Sequence, residues 1–125
     1  MYTVAVQREL IARHALVGRD FGPEGRPHSH RYLVEVRLTG EQLDRFGFLV
    51  DIDELTMRLE EVLDGFRDRL LNELPEFAGL NPSIEHLSRI LCRAFRERLQ
   101  MAPAAKMTVT IRESDSAWAA YADMD

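Results

Sequence analysis

The run from His28 to Thr39 alternates apolar and polar residues and therefore predicts a β-strand. Successive strand side chains point to opposite faces, so His28 and His30 share one face. Residues 2–13 show a similar strand pattern, which ends beside His14. The intervening segment 17–27 is rich in Gly, Pro and Asp and predicts a loop, so the two strands can pair as antiparallel neighbours. This pairing would bring the three histidines together.

The three histidines form a candidate zinc site. Three neutral imidazoles with an open fourth position are typical of catalytic zinc, whereas structural zinc is nearly always enclosed by four protein ligands. We therefore expect His14, His28 and His30 to bind zinc for catalysis or ligand binding. Histidines in a polar strand can also be solvent-facing residues without a metal, and their spacing alone does not decide between the two.

Composition limits the classes of function. A chain of 125 residues predicts a single domain, 1–125. A net charge of −5 argues against a nucleic-acid partner, because the chain offers no basic stripe. It has no apolar run of membrane-spanning length and no signal-like start. The single cysteine, Cys92, excludes an intramolecular disulfide. We expect a cytoplasmic protein that does not contact membranes.

The periodicity of the remaining chain predicts the fold. Apolar stripes at helical spacing predict helices over 53–72, capped by Asp51 or Asp53, and over 83–100. Two further strands follow at 107–113 and 117–121. The order ββααββ predicts an α+β fold, with a four-stranded antiparallel sheet and both helices on one face. Such a sheet leaves two exposed edges, so we expect a homo-oligomer.

Several separated blocks resemble the family of 6-pyruvoyl-tetrahydropterin and 6-carboxy-tetrahydropterin synthases across essentially the whole chain. In chain order the blocks are His14, His28–Tyr32, Gly47–Ile52, Leu71–Glu73, Asn81–Leu87, Ile111–Glu113 and Tyr121.

This resemblance implies a tunnelling fold (T-fold), in which subunits join their sheets into a barrel and the active sites lie at subunit interfaces. It also implies that zinc on the three histidines polarises the side-chain hydroxyls of a dihydropterin. Glu113 would anchor the pterin ring by two hydrogen bonds, because a carboxylate matches a pair of N–H donors. Ser83 and Glu85 match a family segment that lies near the ligand.

The resemblance fails at the acid–base residues. The family has a cysteine four residues before the paired histidines, where this chain has Glu24, and an Asp-His pair where this chain has Arg67 and Asp68. Some relatives that have Glu in place of the cysteine cleave the dihydroneopterin side chain to a 6-hydroxymethyl pterin. By this resemblance Glu24 is the candidate general base, if partial burial raises its pKa, and Asp68 is the weaker candidate for proton transfer.

Three interpretations therefore stand side by side. The leading one is a zinc-dependent pterin side-chain lyase or synthase with non-standard catalytic residues. In the second, the protein binds zinc and a pterin, or an unidentified ligand, without synthase activity, and Glu24 is an inert loop residue. In the third, the protein is an oligomeric scaffold whose metal is structural, with Glu24 as the fourth ligand.

Overall fold

The order of elements along the chain is that of the predicted fold. The computed structural model describes residues 1–123. The elements are β1 (Tyr2–His14), β2 (His28–Gly40), α1 (Ile52–Asp64), α2 (Ile84–Arg96), β3 (Lys106–Arg112) and β4 (Trp118–Asp123). Short 3₁₀ turns occupy Gly22–Gly25, Leu71–Glu73 and Pro75–Phe77. The strands form a four-stranded antiparallel sheet in the order β1-β2-β3-β4. The predicted α+β fold is confirmed.

The core lies between the two helices and one face of the sheet. Alternate residues of the strands are fully buried on that face, and both helices direct their apolar stripes toward it. The sheet contributes Leu10, Tyr32, Val34, Val36, Val109 and Ile111, and the helices contribute Leu55, Leu59, Leu63, Leu87, Leu91 and Phe95. Each such side chain stabilises the fold by about 1.5–3 kcal/mol relative to exposure. The prediction that both helices pack on one face is confirmed.

Helix α1 begins where the sequence indicates and ends earlier. The Asp51 side chain accepts hydrogen bonds from the backbone N–H groups of Asp53 and Glu54, which confirms Asp51 as the cap. The predicted extension to residue 72 is wrong, because α1 ends at Asp64 with Gly65 as its C-cap. The predicted end of α2 at residue 100 is also wrong, since that helix ends at Arg96.

The residues after α1 cover part of the outer edge of β1. The Asp68 N–H donates to the Ile11 carbonyl (2.8 Å), and the Arg13 N–H donates to the Arg69 carbonyl (2.9 Å). In a helix, the Asp68 N–H and the Arg69 carbonyl would form bonds within the helix itself. Their bonds to β1 therefore explain why α1 does not continue to residue 72. The edge of β1 is therefore covered near His14, and its first half has no strand neighbour within residues 1–123.

No helix within residues 1–123 is both long and apolar enough to cross a membrane.

Candidate metal centre and ligand cleft

The register of β1 and β2 brings the three histidines together. His14 lies opposite His28, and Ala12 lies opposite His30. All three side chains lie on the core face of the sheet, at the end where β1 finishes and β2 starts. Their ring centroids are 4.7–5.0 Å apart. One possible ligand atom from each ring lies within 4.8 Å of the others, so the predicted cluster forms a possible metal site.

Hydrogen bonds orient two of the rings for metal binding. The Nδ1–H of His14 donates to the Pro82 carbonyl (2.9 Å), and the Nδ1–H of His28 donates to the Arg26 carbonyl (2.7 Å). A carbonyl only accepts, so Nδ1 carries the proton in both rings and Nε2 keeps its lone pair. Metal-binding histidines are usually held in this way.

The His28 ring supplies the observation that tests whether a metal fits. Its Nε2 is buried and has no hydrogen-bond partner. A buried polar atom without a partner is costly and rare, and a metal ion would remove that cost. The donor set therefore fits a divalent cation with an affinity for imidazole.

The third ring is held by an aromatic neighbour. His30 stacks on Tyr32, with centroids 5.4 Å apart and planes inclined by 16°. The Tyr32 hydroxyl oxygen lies 3.4 Å from Nδ1 of His14, so this buried tyrosine contacts two of the candidate ligands. Burial, and secondarily the charge of Glu113, raises the pKa of Tyr32 and keeps it protonated.

The environment of His14 favours its neutral form. Burial lowers the pKa of His14 below its ordinary value of 6.5, and the nearby His30 and His28 lower it further. The bond to Pro82 and the charge of Glu113 oppose this shift. A neutral imidazole is the form that binds a metal, so these electrostatics suit a ligand.

A cleft of about 270 Å³ opens beside the histidines. It contains four of the residues predicted from the sequence to act on or bind a ligand. Its lining is His14, Leu16, Glu24, His30, Asn81, Ser83, Ile84, Glu85 and Glu113. A larger groove of about 460 Å³ includes Tyr2, Phe48 and Ile52, away from the histidines. We place the candidate site at the smaller cleft, because it alone of these two combines titratable groups with a possible metal site.

Three carboxylates line the cleft, and each comes from a different part of the chain. Glu24 lies in the Gly22–Gly25 turn, Glu85 in the first turn of α2, and Glu113 directly after β3. All three are exposed. Within residues 1–123 none of their side chains has a hydrogen bond or an ion pair. They are therefore available to a ligand.

The other two predicted residues differ in their access to the cleft. The Ser83 hydroxyl accepts the backbone N–H of His86 and so caps α2 while it lines the cleft. Asp68 is not part of the cleft lining. It is exposed at the covered edge of β1, with a φ of 58°. Within one chain, the fold does not place Asp68 among the residues that line the cleft.

Sequence reasoning missed the groups that hold the histidines in place. Two of these groups are the backbone carbonyls of Arg26 and Pro82, which no side-chain pattern can indicate. Tyr32 and Asn81 did stand within the blocks that carry the family resemblance. The resemblance marked them as typical residues without indicating what they contact.

A match to a protein-family model decides the family. The model of the 6-pyruvoyl tetrahydropterin synthase family matches residues 3–123. The chain belongs to this family. Membership of the 6-pyruvoyl tetrahydropterin synthase family confirms the resemblance seen in the sequence. No curated protein sequence matches the chain.

Solved structures of 6-pyruvoyl tetrahydropterin synthases share the fold. The enzyme from Caenorhabditis elegans is 23% identical, with a TM-score of 0.77 over 97% of this chain and 96% of that one. The Plasmodium falciparum enzyme is 13% identical, with a TM-score of 0.80 over 99% and 98%. A Plasmodium vivax enzyme, a variant whose catalytic glutamate is replaced by alanine, is 15% identical, with a TM-score of 0.77 over the full length of both chains. At these identities the likeness establishes the T-fold.

Proposed function

We propose that the protein is a zinc-dependent lyase or synthase that acts on the side chain of a dihydropterin. His14, His28 and His30 would hold the zinc. The observation that carries this proposal is the buried Nε2 of His28, which lacks a partner beside two other imidazoles. Bound zinc would lower the pKa of a hydroxyl on the pterin side chain.

Glu24 is the proposed general base. It lines the cleft that His14 and His30 also line, and its exposed carboxylate is not engaged by another side chain. A positioned carboxylate can accept a proton from a side-chain hydroxyl or carbon. The Plasmodium vivax enzyme, which is described as having a catalytic glutamate, supports a glutamate in this role.

Glu113 is the proposed pterin anchor. Its carboxylate would accept two hydrogen bonds, from the amino group and the adjacent ring N–H of the pterin. Ser83 and Glu85 line the same cleft and are proposed as further ligand contacts. The influence of Glu113 on the pKa values of His14 and Tyr32 supports its closeness to the metal-binding end of the cleft.

The protein is proposed to work as a homo-oligomer. The outer edge of the first half of β1 and the outer edge of β4 have no strand neighbour within residues 1–123, and exposed strand edges favour pairing with another chain. Tyr2 and Trp118, at the starts of these two edge strands, are about half exposed. Asp68, which does not reach the cleft of its own chain, would serve in proton transfer only in a site shared between chains. A cytoplasmic location remains a prediction from the single, unpaired Cys92.

The carboxylates that line the cleft and the position of Asp68 also support a second function, in which the protein binds a ligand without transforming it. Arg67 and Asp68 stand where the family has its Asp-His pair, and Asp68 lies outside the cleft. The protein would then bind zinc and a pterin-like ligand without synthase activity.

Product analysis separates the two functions. Zinc-loaded protein is incubated with 7,8-dihydroneopterin or its triphosphate, and the products are identified by mass spectrometry. A 6-hydroxymethyl, 6-pyruvoyl or 6-carboxy pterin would establish the enzyme and name the bond that breaks. Unchanged substrate that nevertheless binds would contradict the lyase and support the binding protein. Absence of both turnover and binding would contradict both.

A further inference from the structure

The three residues after His14 connect the metal-binding end of β1 to three other segments. The Ala15 N–H donates to the Asn72 side chain (2.9 Å), and the Leu16 N–H donates to the backbone carbonyl of Glu24 (2.9 Å). The Val17 N–H donates to the Asn81 side chain (2.8 Å). Three consecutive N–H groups thus bind the turn after α1, the loop that carries the candidate base, and the segment that precedes α2.

Asn72 binds Ala15 at two points. Its Oδ1 accepts the Ala15 N–H, and its Nδ2 donates to the Ala15 carbonyl at 2.8 Å. Only a side-chain amide can present an acceptor and a donor in this arrangement, which imitates the pairing of one strand with another. Asn72 therefore extends the covered edge of β1 past its last residue, His14.

Asn81 connects the same segment to the carbonyl that orients His14. Asn81 binds Val17, and the next residue, Pro82, accepts the Nδ1–H of His14. The His14 ring and the Pro82 carbonyl are therefore also connected by a second route, which runs along the backbone to Val17 and through the Asn81 side chain. A movement of residues 15–17 away from the Asn81–Pro82 segment would lengthen the bond that sets the tautomer of His14.

We propose that Asn72 and Asn81 are positioning residues of the metal site, which fix His14 relative to Pro82 and to the Glu24 loop. Neither asparagine is expected to bind the metal, since Asn72 is not part of the cleft and the Asn81 oxygen is engaged by Val17. This inference rests on the proposed metal site. It assigns a role to two residues that the sequence marked only as typical of the family.

Asn72 gives the sharper test, because it lies outside the cleft and is replaced without changing the cleft lining. Asn72→Leu keeps the branched shape with the same number of heavy atoms and removes both hydrogen bonds. Asn72→Asp keeps the acceptor and loses the donor. Glu73→Gln, in the same 3₁₀ turn, changes an exposed neighbour and serves as the matched control. Zinc affinity is measured by chelator competition, and the visible spectrum of the cobalt-substituted protein reports the ligand geometry.

We expect Asn72→Leu to bind zinc at least about tenfold more weakly, as is typical when a supporting shell is lost. Its cobalt spectrum should shift as well, whereas a merely structural role would lower the melting temperature and leave that spectrum unchanged. Asn72→Asp should also bind more weakly, although an added negative charge by itself would attract a cation more strongly. Glu73→Gln should match the wild type.

A folded Asn72→Leu protein with wild-type zinc affinity and cobalt spectrum would overturn the inference. If that variant does not fold, the same comparison with Asn72→Asp decides. Failure of both variants to fold would show that Asn72 supports the whole domain rather than the site, and would also overturn it. A wild-type protein that binds no metal would overturn the proposed function together with this inference, whereas wild-type zinc affinity in both variants would overturn the inference alone.

Discussion

The three histidine rings are held by neighbouring groups, whereas the three carboxylates of the same cleft have no hydrogen-bond or ion-pair partner within residues 1–123. Backbone carbonyls accept Nδ1–H from His14 and His28, and the Tyr32 ring stacks on His30. Glu24, Glu85 and Glu113 are exposed and come from three separate segments. The candidate metal-binding half is therefore preorganised within one chain, whereas the candidate ligand-binding half has no such support among the described residues.

This difference makes the two halves separable by experiment. Substitution of a histidine should remove the metal and everything that depends on it. Substitution of a carboxylate should leave the metal in place and change only the chemistry or the binding of the ligand. The four predictions below follow this division, from the largest expected effect to the smallest.

Loss of one histidine should remove the metal. His28→Ala deletes the ring whose Nε2 is buried without a partner, and two imidazoles hold zinc far more weakly than three. Metal analysis of the purified wild-type protein should find about one zinc per chain, and the variant should retain almost none. The control is His86→Ala, because His86 lies on α2 outside the cleft. Zinc retained in His28→Ala would contradict a metal site at the three histidines.

Glu24→Gln should abolish turnover and spare the metal. An amide of the same shape cannot accept the proton, so we expect the rate to fall by about 10²–10⁴-fold at unchanged zinc content. Initial rates of product formation, measured beside metal content, test both parts. Loss of zinc in this variant would instead favour Glu24 as a fourth ligand and a structural metal.

Glu113→Ala should weaken pterin binding. Loss of charge-assisted hydrogen bonds costs about 1.5–3 kcal/mol, which corresponds to an affinity about 10- to 100-fold lower. Fluorescence titration with a pterin measures the change, and Asp115→Ala, in the turn after β3, provides an exposed-carboxylate control. An unchanged affinity would place the pterin elsewhere.

The metal-free protein should lose stability as the pH falls. Because burial lowers the pKa of His14 in the folded state, the unfolded chain binds more protons once the pH falls below the ordinary value of 6.5. The contribution of His14 is thus complete above that pH and is lost as the pH drops through the folded-state pKa. Thermal unfolding between about pH 7.5 and pH 5.5 should show this loss, and His14→Asn should flatten it. If the stability of both proteins falls equally with pH, the assignment of this loss to His14 is contradicted.

The sequence predicted those parts of the fold that depend on local pattern. Alternation located β1 and β2, and their antiparallel pairing placed His14 opposite His28. The end of α1 could not be predicted in this way, because it depends on a tertiary event. Residues 68–69 bind the edge of β1 instead of continuing the helix, and their composition does not reveal this.

The sequence identified side chains that line one cleft, but it did not identify the groups that orient the histidines. The family resemblance selected Glu24, Ser83, Glu85 and Glu113, and the fold brings all four to one cleft. The resemblance assigns Asp68 only through its position in the chain, and that position does not indicate where the segment after α1 lies relative to the cleft. Backbone acceptors such as Pro82 have no side-chain pattern at all.

X-ray absorption spectroscopy of the zinc-loaded protein tests the central claim most directly. The account predicts three imidazole nitrogens at about 2.0–2.1 Å and one oxygen ligand from solvent, with the same spectrum in Glu24→Gln. A spectrum with fewer imidazoles would contradict the histidine site. A spectrum that loses an oxygen ligand in Glu24→Gln would show a closed, structural metal in place of an open catalytic one.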